Sequence, residues 1–472
     1  MRVLLVYPPA RDASKPPIGI SYVSSYLRQK GHQIEILDLT AEPLSDDVLQ
    51  KRIEGFHIYD CVGISAIITS YNFVKSFSRI VKKNFPDLPI IVGNAISNSC
   101  PKTLLENSQV DVIVVDEGEL TSAELVENIK DLKSFKNIKG IWFKDGEGDI
   151  HKTPLRERII DLDSLPLPAW DLLNIPKYMK HTGSYLDLGL RTGWITAVRG
   201  CPYSCGYCSR SFGQKITNRS ADSMINEILE FKKLYHGTHF QIVDDLFVAR
   251  PKLVRDFART LIERKVDITW ECSGRVDLVN EELLLLMRQS NCISVSYGIE
   301  SGSQRILNNM NKRATVEQAK RAIELTRKAD LRMRTPFMFG YVGEDRNSIA
   351  DTVNFIQEMK LGCTVLFFST PYPGTSLYDW ARKNNRMKYD EDTYLSLLGN
   401  NAEKFLVNLT DFSDEELLKL KRNTELKLRK ILPFKVKIEK YVIKRAYHIK
   451  ARIVQLGFIG TVKKIVTKIM GL

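Results

Sequence analysis

The sequence predicts an α/β protein: an N-terminal doubly wound parallel sheet, a partial (β/α)6 TIM-like barrel, and a helical, basic C-terminal tail. Three observations carry this expectation. Short apolar strands alternate with amphipathic helices through residues 1–145. A second alternating stretch, residues 191–385, runs through six strand–helix units. Between them, residues 146–190 are broken by Pro154, Pro166, Pro168 and Pro176 and hold no long period, as a linker would. Residues 386–472 form the remaining region.

The first stretch reads in order as strands at Val3–Tyr7, Gln33–Leu37, Cys61–Ser65, Ile90–Val92 and Val110–Val115. Helices are expected at Ile20–Lys30, stopped by Gly31, and at Tyr71–Asn84, closed by Pro86. Sheets of this kind bind ligands beyond their strand C-termini. That directs attention to the loops 8–19, 65–69, 93–97 and 116–119. In the second stretch, strands are expected at Ile195–Val198, Phe240–Val243, Ile268–Cys272, Cys292–Tyr297, Met333–Phe339 and Thr364–Phe368. Helical periods such as Ala221–Tyr235 and Val316–Ala329 lie between them.

Composition is that of a globular protein, with 43% hydrophobic and 26% charged residues among 472. The first residues read as a buried strand and a proline turn, not a signal peptide. No apolar run of about 18 residues predicts a transmembrane helix. Cys61, Cys100, Cys272, Cys292 and Cys363 fall in or beside apolar stretches, as core thiols do in a reducing cytosol. The net charge of +13 is local: from Leu417 onward there are 16 lysines and arginines against Glu425 and Glu439.

The chemical signal is Gly200-Cys201-Pro202-Tyr203-Ser204-Cys205-Gly206-Tyr207-Cys208, directly after the first strand of the second stretch. Barrels of this type keep their active sites at that strand end. Three thiolates on one loop can wrap one compact metal site. Iron–sulfur clusters usually take four cysteines, and the next is distant Cys272, so one iron would stay open. A structural zinc site would need a closing pair; His236 and His239 are the available candidates. A disulfide is the third reading.

These residues resemble the radical S-adenosylmethionine enzymes, whose CxxxCxxC motif they match, with Tyr207 as the aromatic before the last cysteine. The resemblance continues through Asp244-Asp245, Ser273-Gly274-Arg275, 298–303, 340–344 and 371–375, each following a successive strand. It implies a 4Fe–4S cluster on Cys201, Cys205 and Cys208. It also implies S-adenosylmethionine chelated to the open iron, and a 5′-deoxyadenosyl radical released by an electron from an external donor. Asp244 and Asp245 would meet the methionine amino group, and Arg275 and Glu300 its carboxylate and ribose. Simple ion pairs are the plainer reading of each. Val342 departs from the family, which has proline there.

The first stretch resembles the cobalamin-binding domain that precedes this barrel in one large subgroup (class B radical methyltransferase-like). Pro9, Gly19, Ser65, Gly93, Glu117, Gly118 and Glu119 carry the match and imply cobalamin contacts. Asn94 and Asp116 replace glycines of the subgroup, which puts close backbone approach to the ligand in question. His32 falls in a surface turn, and no histidine motif offers the cobalt a lower ligand.

The implied activity is methylation of an unactivated carbon in a small-molecule or lipid substrate; no residue is singled out as catalytic. Oxidation, cyclisation or ring rearrangement with the same cofactors is the alternative within the subgroup. A tRNA methylthiotransferase would need a second cysteine triplet, where the first stretch has only Cys61 and Cys100. A cobalamin or metal sensor with a vestigial barrel is the non-enzymatic alternative.

In the tail, Ile438, Tyr441, Val442, Ile449, Ile453 and Leu456, then Val462, Ile465, Val466 and Ile469, follow helical spacing among lysines and arginines. Such a tail can lie on anionic lipid, which would make a cytoplasmic enzyme peripheral to the inner membrane face. It can equally pack on the barrel. Nucleic acid is disfavoured, because no aromatic platform accompanies the lysines.

Overall fold

A computed structural model describes residues 1–10, 14–180, 190–362, 365–399 and 404–431. Seven strands build the first sheet: β1 (Arg2–Tyr7), β2 (Gln33–Asp38), β3 (Cys61–Ser65), β4 (Ile90–Gly93), β5 (Val112–Val114), β6 (Ile141–Lys144) and β7 (Ile150–Lys152). Their order is β2-β1-β3-β4-β5-β6-β7, parallel through β5 and antiparallel beyond it. Period-two alternation sends β1 side chains to opposite cores. Val3 and Leu5 join the helices Ile18–Gln29 and Gly118–Glu127 on one face. Leu4 and Val6 join the helix Tyr71–Asn84 on the other, which buries Tyr71, Val74, Phe77 and Val81 along one stripe. The sheet is thus doubly wound.

The boundary expected at residue 145 cuts this sheet, because β7 lies beyond it. A tight Asp145–Asp149 turn joins β6 to β7, with the Asp145 carboxylate accepting from the Glu147 and Asp149 N–H groups. A three-residue strand reading Ile-His-Lys shows no alternation long enough to be seen in sequence.

The barrel begins with β8 (Thr192–Ile195). The single strand expected over Ile195–Val198 breaks after Ile195. β9 (Val198–Arg199) turns off to pair antiparallel with β10 (Thr217–Asn218), so the cysteine loop is the head of a hairpin. β11 (His239–Ile242), β12 (Thr269–Gly274), β13 (Cys292–Tyr297) and β14 (Arg332–Arg334) complete a parallel five-stranded sheet with β8 at one edge. The strand expected over Met333–Phe339 is also two strands. Pro336 has no N–H for a ladder, and β15 (Phe337–Phe339) pairs instead with β16 (Leu366–Phe368). A parallel bridge between Glu300 and Phe337 connects the two sheets. Phe240, Trp270, Phe247 and Phe257 pack edge to face with neighbouring rings between strands and helices.

The helix Asp414–Ile431 packs across the barrel through Leu417 and Leu428. The tail patterns at 434–456 and 462–469, and Cys363, lie outside the described residues. Among the described residues, no helix is long and apolar enough to cross a membrane.

Candidate active site

The cysteine loop leaves β9 through Gly200, whose φ is +91°. A Cβ there would stand 2.3 Å from the Lys215 carbonyl oxygen, so only glycine fits. Backbone bonds then pin the loop: Cys201 N–H to Gly213 O at 3.0 Å, Gly206 N–H to Met310 O at 2.8 Å, and Leu377 N–H to Gly206 O at 2.8 Å. The thiols of Cys201 and Cys208 are pushed up, Cys208 to about 11, by desolvation first and by neighbouring cysteines. A cationic metal reverses that balance by stabilising thiolate. Three soft donors on one loop fit a cluster with an open iron. The zinc alternative loses its ligands: His236 caps a helix, and His239 is buried at the far end of β11 beside Thr269.

Side chains of the barrel loops surround the cysteines. Arg275 stacks on Tyr203 at 3.5 Å, pairs with Asp277 at 2.9 Å and donates to the Lys312 carbonyl at 2.7 Å. Its Nη1 lies 3.8 Å from Cys205 Sγ. Arg275 therefore braces the cysteine loop. Glu300 has a φ of +71° and receives Tyr207 Oη at 3.1 Å and Lys312 Nζ at 3.3 Å. Lys312 is itself buried and 3.0 Å from Tyr207 Oη. Glu300 and Tyr207 thus belong to one buried triad behind the loop.

Asp244 behaves differently. Its Oδ1 accepts from the Ala197 N–H at 2.7 Å, while Oδ2 is shielded and has no partner among the described residues. Desolvation raises its pKa to about 7. An orphan acceptor beside the cysteine loop fits the ammonium group of S-adenosylmethionine. Asp245 is held toward the Gly200 N–H.

An apolar cavity lies between the helices Ile18–Gln29 and Gly118–Glu127 and the first sheet. It contains about 940 Å³ of empty space counted to its open mouth. Gly19, Ser65, Gly93, Gly118 and Glu119 line it; Pro9 and Glu117 do not. A Cβ on Gly19 or Gly93 would meet nothing within 4 Å, so both glycines border open space. This cradle fits cobalamin. Asn94 and Asp116 also line it, with φ of +77° and +67°. Both keep the positive φ of the glycines they replace, and Asn94, with ψ of −164°, does so in a region normally taken by glycine. Asn94 stays there by binding Ser65 Oγ at 3.1 Å and its own helix at Ala95 N.

Arg199, Ser211 and Phe212 of the barrel complete the wall of the same cavity. Arg199 donates to Glu119 at 2.6 Å and Glu117 at 2.9 Å, all three side chains being under a tenth exposed. Arg158 adds a 3.0 Å contact to Glu117, and the Ile159 N–H donates to the same oxygen at 2.7 Å. Glu117 and Glu119 are accordingly clasp residues between the domains. Sequence reading missed Arg199, Arg158 and Lys312. Arg199 adjoins the glycine and cysteine that open the loop, but its acidic partners are 80 residues away.

Comparisons with known proteins agree with this geometry. Residues 195–356 match the Radical SAM superfamily and residues 12–126 the B12 binding domain. An uncharacterized methyltransferase of Pyrococcus horikoshii is 30% identical over 437 residues, covering 89% of this chain and 91% of that protein. The anaerobic magnesium-protoporphyrin IX monomethyl ester cyclase of Rubrivivax gelatinosus is 27% identical over 392 residues, covering 80% and 69%. In fold, the chain is similar to the radical S-adenosylmethionine methyltransferase TsrM of Kitasatospora setae, solved with cobalamin and a 4Fe–4S cluster. The TM-score is 0.68 at 17% identity, covering 83% of this chain and 76% of that one. The chain belongs to the cobalamin-dependent radical S-adenosylmethionine enzymes, a family that includes methyltransferases, and its cofactors are a 4Fe–4S cluster, S-adenosylmethionine and cobalamin.

Proposed function

We propose that this enzyme transfers a methyl group to a carbon atom of a small-molecule substrate. One observation supports it above the others: Arg199, Ser211 and Phe212, which flank the cysteine loop, also wall the cobalamin cavity. On this reading the two cofactor sites are neighbours. When bound, the cluster and S-adenosylmethionine supply radical initiation, with an electron from an external donor, and cobalamin supplies a methyl carrier.

The chain's own residues hold and orient. Cys201, Cys205 and Cys208 ligate the cluster, and Asp244 Oδ2 receives the methionine ammonium. Arg275 and the Tyr207–Glu300–Lys312 triad keep the loop in place. Gly19 and Gly93 would leave room for the corrin against the backbone, and the Arg199 clasp would hold the cavity beside the cysteine loop.

The likeness to a named cyclase favours a second reading, ring-forming oxidation without methyl transfer. Anaerobically reconstituted enzyme with methyl-labelled S-adenosylmethionine and cell extract separates the two. Label in a new product is expected; 5′-deoxyadenosine formed with no labelled product would overturn methyl transfer.

A further inference from the structure

Charge is distributed unevenly around the cysteine loop. Residues 199–219 contain Arg199, Arg210, Lys215 and Arg219 and no acid, and residues 301–316 contain Arg305, Lys312 and Arg313 and no acid. The two segments meet at Ser204, between Cys201 and Cys205. Gln214 Nε2 donates to Ser204 Oγ at 2.7 Å, and Asn311 Nδ2 donates to the Ser204 carbonyl at 2.8 Å.

Four of these cations are neutralised by acids: Arg199 by Glu119, Arg219 by Glu227, Arg305 by Asp345 and Lys312 by Glu300. Arg210, Lys215 and Arg313 have no acidic partner among the described residues. Arg210 donates to the Tyr203 carbonyl at 3.1 Å, and Arg313 meets Asn311 Oδ1 at 3.4 Å. Lys215 and Arg313 are exposed. Acids that approach the loop are engaged elsewhere: Asp277 with Arg275, Glu117 with Arg199, and Asp244 and Asp245 with the backbone at Ala197 and Gly200. A cleft of about 320 Å³ opens on this side, bordered by Cys208, Arg210 and Gln214 together with Ser99 of the first domain. The loop thus carries an uncompensated positive face beside one of its cysteines.

We propose that Arg210, Lys215 and Arg313 form the docking surface for an acidic one-electron carrier protein, which delivers its electron to the cluster beside them. The assignment rests on the cysteine loop holding that cluster. Electron tunnelling falls steeply with distance, so a carrier must dock close to the loop. Complementary charge speeds such an encounter and makes it salt-dependent. With a flavodoxin as carrier, the flavin hydroquinone anion loses one electron and takes a proton from water to become the neutral semiquinone. The oxidised cluster gains that electron, and no other bond forms or breaks.

The test mixes anaerobic holoenzyme with flavodoxin hydroquinone and follows the reduced cluster by freeze-quench electron paramagnetic resonance. The wild-type rate should fall as salt is raised. Lys215→Glu combined with Arg313→Glu should slow reduction by about tenfold at low salt, and the difference should close at high salt. Lys233→Glu combined with Arg259→Glu makes the same change of net charge on exposed positions of the helices Ala221–Tyr235 and Pro251–Glu263, and should stay near wild type. Photoreduced 5-deazariboflavin, small and uncharged, should reduce all three proteins alike. No reduction of the wild-type cluster by flavodoxin, a rate indifferent to salt, or equal rates in the two variants would overturn the proposal. Indifference to the Lys215 and Arg313 reversals is also what a site for a phosphate-bearing small molecule would give. Protein that holds no iron after reconstitution would refute the cluster reading instead, and methyl transfer enters none of these readouts.

Discussion

Arg199 and Glu119 meet across the boundary between the cobalamin-binding domain and the barrel, Nη2 to Oε1 at 2.6 Å, with Arg199 two residues ahead of Cys201. The guanidinium also takes Glu117 and lies over the rings of Tyr22 and Phe212 at 5.6 and 5.3 Å. The neighbouring acids outweigh desolvation and raise its pKa, so it stays charged. One side chain thus ties the turn at the apolar cavity to the strand that presents the cysteines.

Arg199→Met should be strongly destabilising. It leaves Glu117 and Glu119 buried with less compensation, a loss of about 3–5 kcal/mol for a broken buried pair. Glu119→Gln in the same background should recover part of this, because one uncompensated charge is gone. Thermal melting of the four members of the double-mutant cycle gives the coupling, and the cobalamin absorbance of each purified variant should fall with it.

Gly200→Ala should lose the cluster before the fold. A methyl group 2.3 Å from the Lys215 carbonyl forces the β9–β10 hairpin open and moves Cys201. Iron and sulfide analysis after anaerobic reconstitution should fall well below the wild-type content, while far-UV circular dichroism stays close to wild type. Full iron loading of the variant would contradict the close-approach argument.

Lys312→Met should cost about 3–5 kcal/mol, because it leaves the Glu300 carboxylate behind the cysteine loop without its counter-charge. Adding Glu300→Leu should restore most of the stability, since the uncompensated charge leaves with it. Melting temperatures decide this, and S-adenosylmethionine affinity measured alongside shows whether the triad also serves the cofactor.

The Glu344 carboxylate accepts from the Gly340 N–H in a fully buried turn. Burial raises its pKa from 4.5 to about 8. The folded protein therefore holds this proton more tightly than the unfolded chain does. Its contribution to stability is fully present below pH 4.5 and is lost progressively as pH rises through about 8. Glu344→Gln should flatten that slope. Denaturation midpoints of wild type and variant across this window test the sign; parallel curves would remove Glu344 as its cause.

The linear order of elements was legible because each carries its own period. Cys61–Ser65, Tyr71–Asn84, Ala221–Tyr235 and Cys292–Tyr297 have the bounds read from sequence. Strands of two or three residues were not legible: β7 and β10 have no period, and Pro336 divides one apolar run into β14 and β15. The three cysteines were legible because their spacing along one loop is itself the signal.

Partnership was not legible. Glu117 and Glu119 also meet Arg199, and Glu119 does so while lining the cavity. Arg275 and Glu300 also pair with Asp277 and Lys312 beside the cysteine loop, partners that sequence spacing does not show. By itself the sequence determined the αβ alternation, the cysteine loop and the family, since these depend on local spacing. Only the tertiary structure decided which charge meets which, and which cations beside the cysteine loop are left without an acid among the described residues. Those outcomes depend on strand register and domain docking, which bring together side chains tens of residues apart and bury them where an unpaired charge is costly.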